Sequence, residues 1–387
     1  MKIADDVSFR KVRRKVSSDG FLPSVSNGAE LIARKKVLYP FIRRYVDCDR
    51  LSIVSAKDAV EDNHIVDYGT DSNTQKRSEE FYVANTGEGY VLSTTGVGMT
   101  PEGEFIAETI SPPESRNHKL SVVLSRHAFF DGPLFASSLV RKKIEQIGRA
   151  VPTIETACSL IPRYTNYYHW TVETLPKIRA VREYEKQTRE HVTFLIPQNP
   201  PGWIKESLAL VGVDDEETRH AESDLYRVSN LVVPTFPKPT WEDCRWVRET
   251  VLQQAKRKDI DVPWGSNVYI SRKDARERRV LNEDAVVNTL EDYGFESYRL
   301  ADQGVAGQAL LFYEADAVVG AHGAGLSNLV YSNSIEVLEL FGSKIKSNYD
   351  RLAQSAGLTY DCLECRPRGV DLEVDTTRLS TAIENSQ

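Results

Sequence analysis

Three stretches of this 387-residue chain place side chains that can move protons or hold anions at spacings that bring them together. In Asn166-Tyr167-Tyr168-His169-Trp170-Thr171-Val172-Glu173, a helix capped by Asn166 or Thr165 puts His169 and Glu173 four positions apart on one face. A carboxylate beside an imidazole can orient it or share the work of a general base. The competing reading is a core histidine among aromatics with a surface glutamate. The second stretch, Ser271 to Asn282, carries Arg272, Lys273, Arg276, Arg278 and Arg279 against Asp274 and Glu277, a net +3 in an otherwise acidic chain. Arginine offers a planar fork suited to phosphate oxygens, so the excess calls for an anionic ligand unless it is a solvated charge run.

The third stretch, Val318 to Phe341, breaks an apolar run with Gly320, Ala321, His322, Gly323, Ala324 and Gly325, then resumes at Leu326 with an apolar period of three to four. This predicts a strand, a glycine-rich turn and a helix. Glycine lets the backbone approach an anion, and the first N–H groups of a helix point at it with the dipole behind them. His322 is placed to donate to a phosphate or a leaving oxygen. Glu339, near the end of the next strand, is placed to accept from ribose hydroxyls. Taken alone, such a turn also suits a plain αβ corner.

The elements that must position these groups follow from the apolar periods. Residues 1–50 are read as a basic segment in which an amphipathic helix opened by Pro40 lies on the protein's own body, on a partner or on a membrane surface through residues 31–46. Residues 51–150 are rich in β-formers and turns, with strands expected at 81–84, 89–93 and 104–109, and read as an N-terminal β-rich layer. From 151 to 235 the order is βαβαβ, with strands at 153–160, 192–196 and 225–233 and helices at 170–186 and 203–211. Pro234, Pro237 and Pro239 then form the expected hinge. Residues 236–387 begin with a helix at 241–258 and repeat the alternation, ending in a helix. The expected fold class is α/β, two Rossmann-like domains, 51–235 and 236–387, each with its own core and facing a cleft that receives the ligand beyond the strands' carboxyl ends.

The formal net charge of −7 is uneven. Residues 1–50 hold twelve Lys/Arg against six Asp/Glu, so the remaining chain carries −13, which argues against nucleic-acid binding over the whole surface. Cys48, Cys158, Cys244, Cys362 and Cys365 are odd in number and scattered, which points to a reducing compartment, with the C-x-x-C at 362–365 read as structural. No run of ~18 apolar residues and no signal-peptide core are present, so cytoplasmic residence is the expectation, at most peripheral at the inner face of the cell membrane. The acidic pairs Asp47/Asp49 and Asp259/Asp261 follow no predicted nucleotide-binding strand and are read as chance.

The stretches NYYHWTVETLP, YISRKDARERRVLNE and GAHGAGLSNLVYSNSIEVLELF, in this order, resemble glycosyltransferase family 61 over roughly residues 80–385. The resemblance implies a GT-B architecture and an inverting transferase that needs no metal or other cofactor. A UDP-sugar would be the donor and a glycan, lipid-linked or protein-linked molecule the acceptor, in surface (capsular) polysaccharide or glycoprotein glycan synthesis. By motif, Arg272 and the turn His322, Gly323, Ala324, Gly325 and Leu326 would hold the diphosphate with Lys273, Arg276, Arg279 and Glu339 around it, while Asn282 and Glu283 brace the basic loop. Glu173, first, and His169, second, would be the acceptor-side base, with Asn166, Tyr168 and Trp170 beside them. The alternative is a non-catalytic nucleotide-sugar-binding partner of an assembly complex.

Overall fold

The computed structural model describes residues 53–59, 65–69, 81–110, 151–162, 164–235, 240–258, 260 and 265–386. The expected amphipathic segment 31–46, Cys48, Pro237 and Pro239 of the hinge, and the acidic pairs Asp47/Asp49 and Asp259/Asp261 lie outside these residues.

In chain order the first half contains β1 (Ile53–Val54), β2 (Ile65–Gly69), β3 (Phe81–Asn85), β4 (Gly89–Leu92), β5 (Val97–Met99), β6 (Phe105–Ile106) and α1 (Ala107–Ile110). It continues with β7 (Thr153–Ser159), α2 (Tyr167–Glu173), α3 (Lys177–Thr188), β8 (Thr193–Ile196), α4 (Gly202–Leu210), β9 (Thr218–His220) and β10 (Leu225–Pro234). These strands form one ten-stranded sheet around β10. On one side β10, β7, β8 and β9 run parallel, as the βαβ alternation requires. On the other side β3 and β4 pair antiparallel with β10. The described part of the β-rich stretch therefore extends the same sheet instead of forming a separate layer. The strand expected over 104–109 stops at Ile106, where α1 begins.

The helix expected over 170–186 is also divided. Pro176 brings no N–H into a helix, and the chain breaks at Thr174-Leu175-Pro176 into α2 and α3. This break lets α2 take its own direction.

The second half contains α5 (Trp241–Ala255), β11 (Asn267–Ile270), α6 (Glu283–Glu291), β12 (Phe295–Tyr298), α7 (Val305–Glu314), β13 (Ala317–Ala321), β14 (Glu336–Phe341), α8 (Asn348–Ala356), β15 (Thr359–Glu364), the hairpin β16 (Arg366–Arg368) and β17 (Asp371–Glu373), and α9 (Thr376–Ser386). Five strands form a parallel sheet in the order β12-β11-β13-β14-β15. The order reverses between β11 and β13, and in doubly wound sheets that is the point where loops part to leave a crevice. Alternation along β13 sends Val318 to one side and Val319 to the other, into two different apolar clusters.

The larger cluster runs through both halves without interruption, from Cys158, Phe194 and Val232 to Val268, Val318 and Val337. Separate interiors were expected, but α5 joins them by packing on α4, α7 and α8. A polar tie crosses the same boundary. The Glu206 carboxylate on α4 accepts the first N–H groups of α7, from Val305 at 2.8 Å and Ala306 at 3.1 Å, supplying a helix cap from a distant part of the chain.

Candidate active site

Beyond the ends of β11 and β13 the two following segments approach closely. At Gly323 a Cβ would meet the Arg272 guanidinium nitrogen Nη1 at 1.9 Å, so only glycine leaves room for that cation against the turn. Arg272 is fixed from behind, donating from Nε to the Arg278 carbonyl at 3.1 Å and from Nη2 to the Glu277 carbonyl at 3.0 Å. Glu283, buried at the start of α6, accepts the Arg272 backbone N–H at 3.2 Å and the Tyr269 hydroxyl at 3.0 Å. Burial lowers the proton affinity of Arg272, yet a guanidinium stays charged, so the turn faces a held cation.

His322 sits at the end of β13 with Phe341 stacked on one side, at 5.4 Å between centroids, and Tyr349 on the other, at 5.1 Å. Its Nδ1 meets Glu339 Oε1, and the Tyr360 hydroxyl donates to Glu339 Oε2 at 2.6 Å. Glu339 is fully buried with both oxygens engaged. It therefore orients His322 and cannot present itself to a ribose, as its place near a strand end had suggested. The turn that follows also differs from expectation. Residues Ala324–Tyr331 form a 3-10 helix whose last six residues are buried, so the segment after the glycines belongs to the core.

Across from this turn, Asn166 caps α2 by accepting the His169 N–H at 3.0 Å. His169 Nδ1 lies 2.6 Å from Glu173 Oε2, and both side chains keep partial exposure, 23% and 22%. They border a cavity of about 30 Å³ shared with Thr95, Thr109, Tyr164 and Lys177. Helix α2 packs directly on the 3-10 helix, and the Tyr167 hydroxyl donates to Asn328 at 2.8 Å. Tyr168 contacts His169 on one side and Tyr349 on the other, with centroids 5.4 Å and 5.6 Å away. Tyr349 in turn contacts His322, so two tyrosine rings link the two histidines that the sequence placed in separate motifs.

Other expected site residues are drawn elsewhere. Trp170 is fully buried and donates to the Ser207 hydroxyl at 2.7 Å, which makes it a core residue and not an acceptor contact. Asn166 is engaged as the helix cap. Arg279 pairs with Asp371 at 2.6 Å, and Lys273 with Asp284 at 2.9 Å. Arg276 is exposed. Asn282 exchanges hydrogen bonds with the Val374 backbone, bracing the C-terminal segment more than the basic loop. Of the two expected braces, Glu283 alone touches Arg272. Cys362 is exposed, Cys365 is buried, and both thiols are free. Among the described residues, no group of three or more His, Cys, Asp or Glu side chains is arranged to hold a metal ion.

Tyr349, Tyr360 and Asp371 were not singled out from the sequence. Their signals are only a tyrosine opening a helix, a tyrosine in an edge strand and one acid among many.

Residues 167–336 match the family model described as Glycosyltransferase 61. Over this stretch the chain is similar to glycosyltransferase family 61. No curated protein matches it. The matched stretch contains His169, Glu173, Arg272, Glu283 and the turn at His322, and ends before Glu339, Tyr349 and Tyr360. No helix of the described residues is long and apolar enough to cross a membrane.

Proposed function

We propose that this protein is a glycosyltransferase that transfers a sugar from a UDP-sugar to a hydroxyl of a glycan or glycoconjugate acceptor with inversion and without a metal. Its two halves would act as the acceptor and donor sides of a GT-B enzyme. The observation that carries the proposal is the pairing of two carboxylate-backed histidines, His169 with Glu173 and His322 with Glu339, joined through the Tyr168 and Tyr349 rings, with Arg272 held against Gly323 beside His322.

The donor diphosphate lies in this reading on the turn, where Arg272, His322 and the N–H groups of Ala324 and Gly325 meet the charge that grows on the departing oxygens. The acceptor hydroxyl gives its proton to the acceptor-side pair as its oxygen attacks the anomeric carbon. The bond to the diphosphate breaks on the opposite face, so one displacement inverts the centre. The geometry favours His169 as the base with Glu173 behind it. Glu173 already holds Nδ1, which leaves Nε2 as the ring atom able to take a proton. The same carboxylate stabilises the imidazolium that forms.

The test is UDP release and sugar transfer from a panel of UDP-sugars by the purified chain, with a chelator present. Turnover by the wild type and its loss in His169→Ala support the reading. Nucleotide binding with no turnover of any donor would favour a non-catalytic role in glycan assembly.

A further inference from the structure

We propose that Tyr360 and Glu339 are positioning residues for His322, holding a proton on Nδ1 so that, once the donor is bound, the ring is the imidazolium whose Nε2–H donates to the diphosphate. Glu339 lies in the middle of β14, fully buried, where an isolated carboxylate would be costly. Two neighbours make it tolerable. His322 reaches Oε1 from the end of β13, and Tyr360 donates to Oε2 at 2.6 Å from β15, the strand on the other side. Three adjacent strands thus contribute one side chain each to a Tyr360–Glu339–His322 chain.

The direction of each hydrogen bond follows from the chemistry. Burial, together with the Glu339 carboxylate, pushes the Tyr360 phenol well above the usual tyrosine range, so Tyr360 remains a donor. A carboxylate that accepts at Oε2 and is ionised can only accept at Oε1 as well, which places a proton on His322 Nδ1. Were Glu339 protonated, it would donate to Nδ1 and the ring would carry its proton on Nε2. The other groups that face the ring are Tyr349 from α8 and Arg272, whose guanidinium lies against the neighbouring Gly323. Stacking on Phe341 and the tilted contact with Tyr349 limit rotation of the ring, and Glu339 is the group at Nδ1 that sets its protonation there. Tyr360 acts one step further out, through the carboxylate.

The role matters only if His322 meets the donor, and in that respect the inference rests on the proposed function. Its first readout does not depend on transfer. In histidine-labelled protein, nitrogen NMR distinguishes the two neutral tautomers, and the His322 signal is the one that disappears in His322→Gln. The wild type is expected to show Nδ1 protonated, with Nε2 protonated as well when UDP is bound, and Tyr360→Phe to mix in the neutral tautomer that carries its proton on Nε2 alone. With an active donor, Tyr360→Phe is expected to lower kcat about tenfold with donor KM changed less than about twofold, because the ring is present but less often in the right state. An unprotonated Nδ1 in the wild type, or identical His322 signals in wild type and Tyr360→Phe, would overturn the inference. If Tyr360→Phe does not fold, the wild-type tautomer alone decides. If no donor is turned over, the proposed function fails while the NMR result still stands for or against Tyr360 and Glu339.

Discussion

Tyr168 and Tyr349 meet edge to face with ring centroids 5.6 Å apart, one from the helix that carries His169 and the other from the helix beside His322. Both rings are buried, and together they connect the two halves' histidines through ring contacts. Side chains 153 residues apart in the chain are thus linked through packing, with no direct bond between them.

The acceptor-side pair is tested by separating base from orienter. His169→Ala is expected to lower kcat by about 10²- to 10⁴-fold, the range for loss of a general base, with UDP affinity unchanged in calorimetry. Glu173→Gln keeps the helix and the ring but weakens the hold on Nδ1, so its loss should be smaller. A Glu173→Gln loss larger than that of His169→Ala would return the base role to the carboxylate.

Arg272 and Gly323 are coupled by contact. In Gly323→Ala the guanidinium must leave the turn, and donor affinity should fall tenfold or more, equivalent to about 1.4 kcal/mol. Adding Gly323→Ala to Arg272→Ala should then cost little further affinity, because the clash no longer exists. Strictly additive losses in the double variant would show that the two residues do not act on one ligand.

Much of this was legible from apolar periods and breakers: the α/β alternation, the parallel halves, the cap at Asn166 and the three chemical stretches. Features set by distant partners were not. Asp371, which removes Arg279 from the basic loop, lies 92 positions away, and nothing local marks it. Trp170 and His169 are neighbours on a helix of seven residues, too short for its apolar period to say which of them enters the core. The glycine-rich turn promised an α-helix, yet burial of Leu326 to Tyr331 against α2 and α5 accompanies a tighter 3-10 path.

Arg279 separates charge from function. Its tie to Asp371 makes it a strut for the β16–β17 hairpin, so Arg279→Ala should leave UDP affinity unchanged and shift stability by about 1 kcal/mol or less. Urea unfolding with parallel UDP titration checks both halves of the statement. Loss of UDP binding would put Arg279 back at the ligand.

The cap that crosses the two halves predicts a stability effect far from the site. Glu206→Ala strips the first N–H groups of α7 of their acceptor and should cost about 1–2 kcal/mol, read as a lower urea midpoint. An unchanged midpoint would mean that the halves do not depend on this tie.

Thiol chemistry checks the core independently. Burial pushes Cys158 and Cys244 up to about 12 and Cys365 up to about 11, so near pH 8 they hold little of the reactive thiolate. Of the four described cysteines, Cys362 alone is exposed and should be alkylated first in the native state, the others only on unfolding. Early labelling of Cys158 would contradict the packing of β7.

The most direct test of the central claim, that one crevice joins an acceptor-side base to a donor-side diphosphate site, is UDP release from UDP-sugars with a chelator present, compared between wild type and His169→Ala. Release by the wild type, near-complete loss in the variant and the same UDP affinity in both are expected. Equal release by the two proteins, or no release from any UDP-sugar with any acceptor, would contradict it.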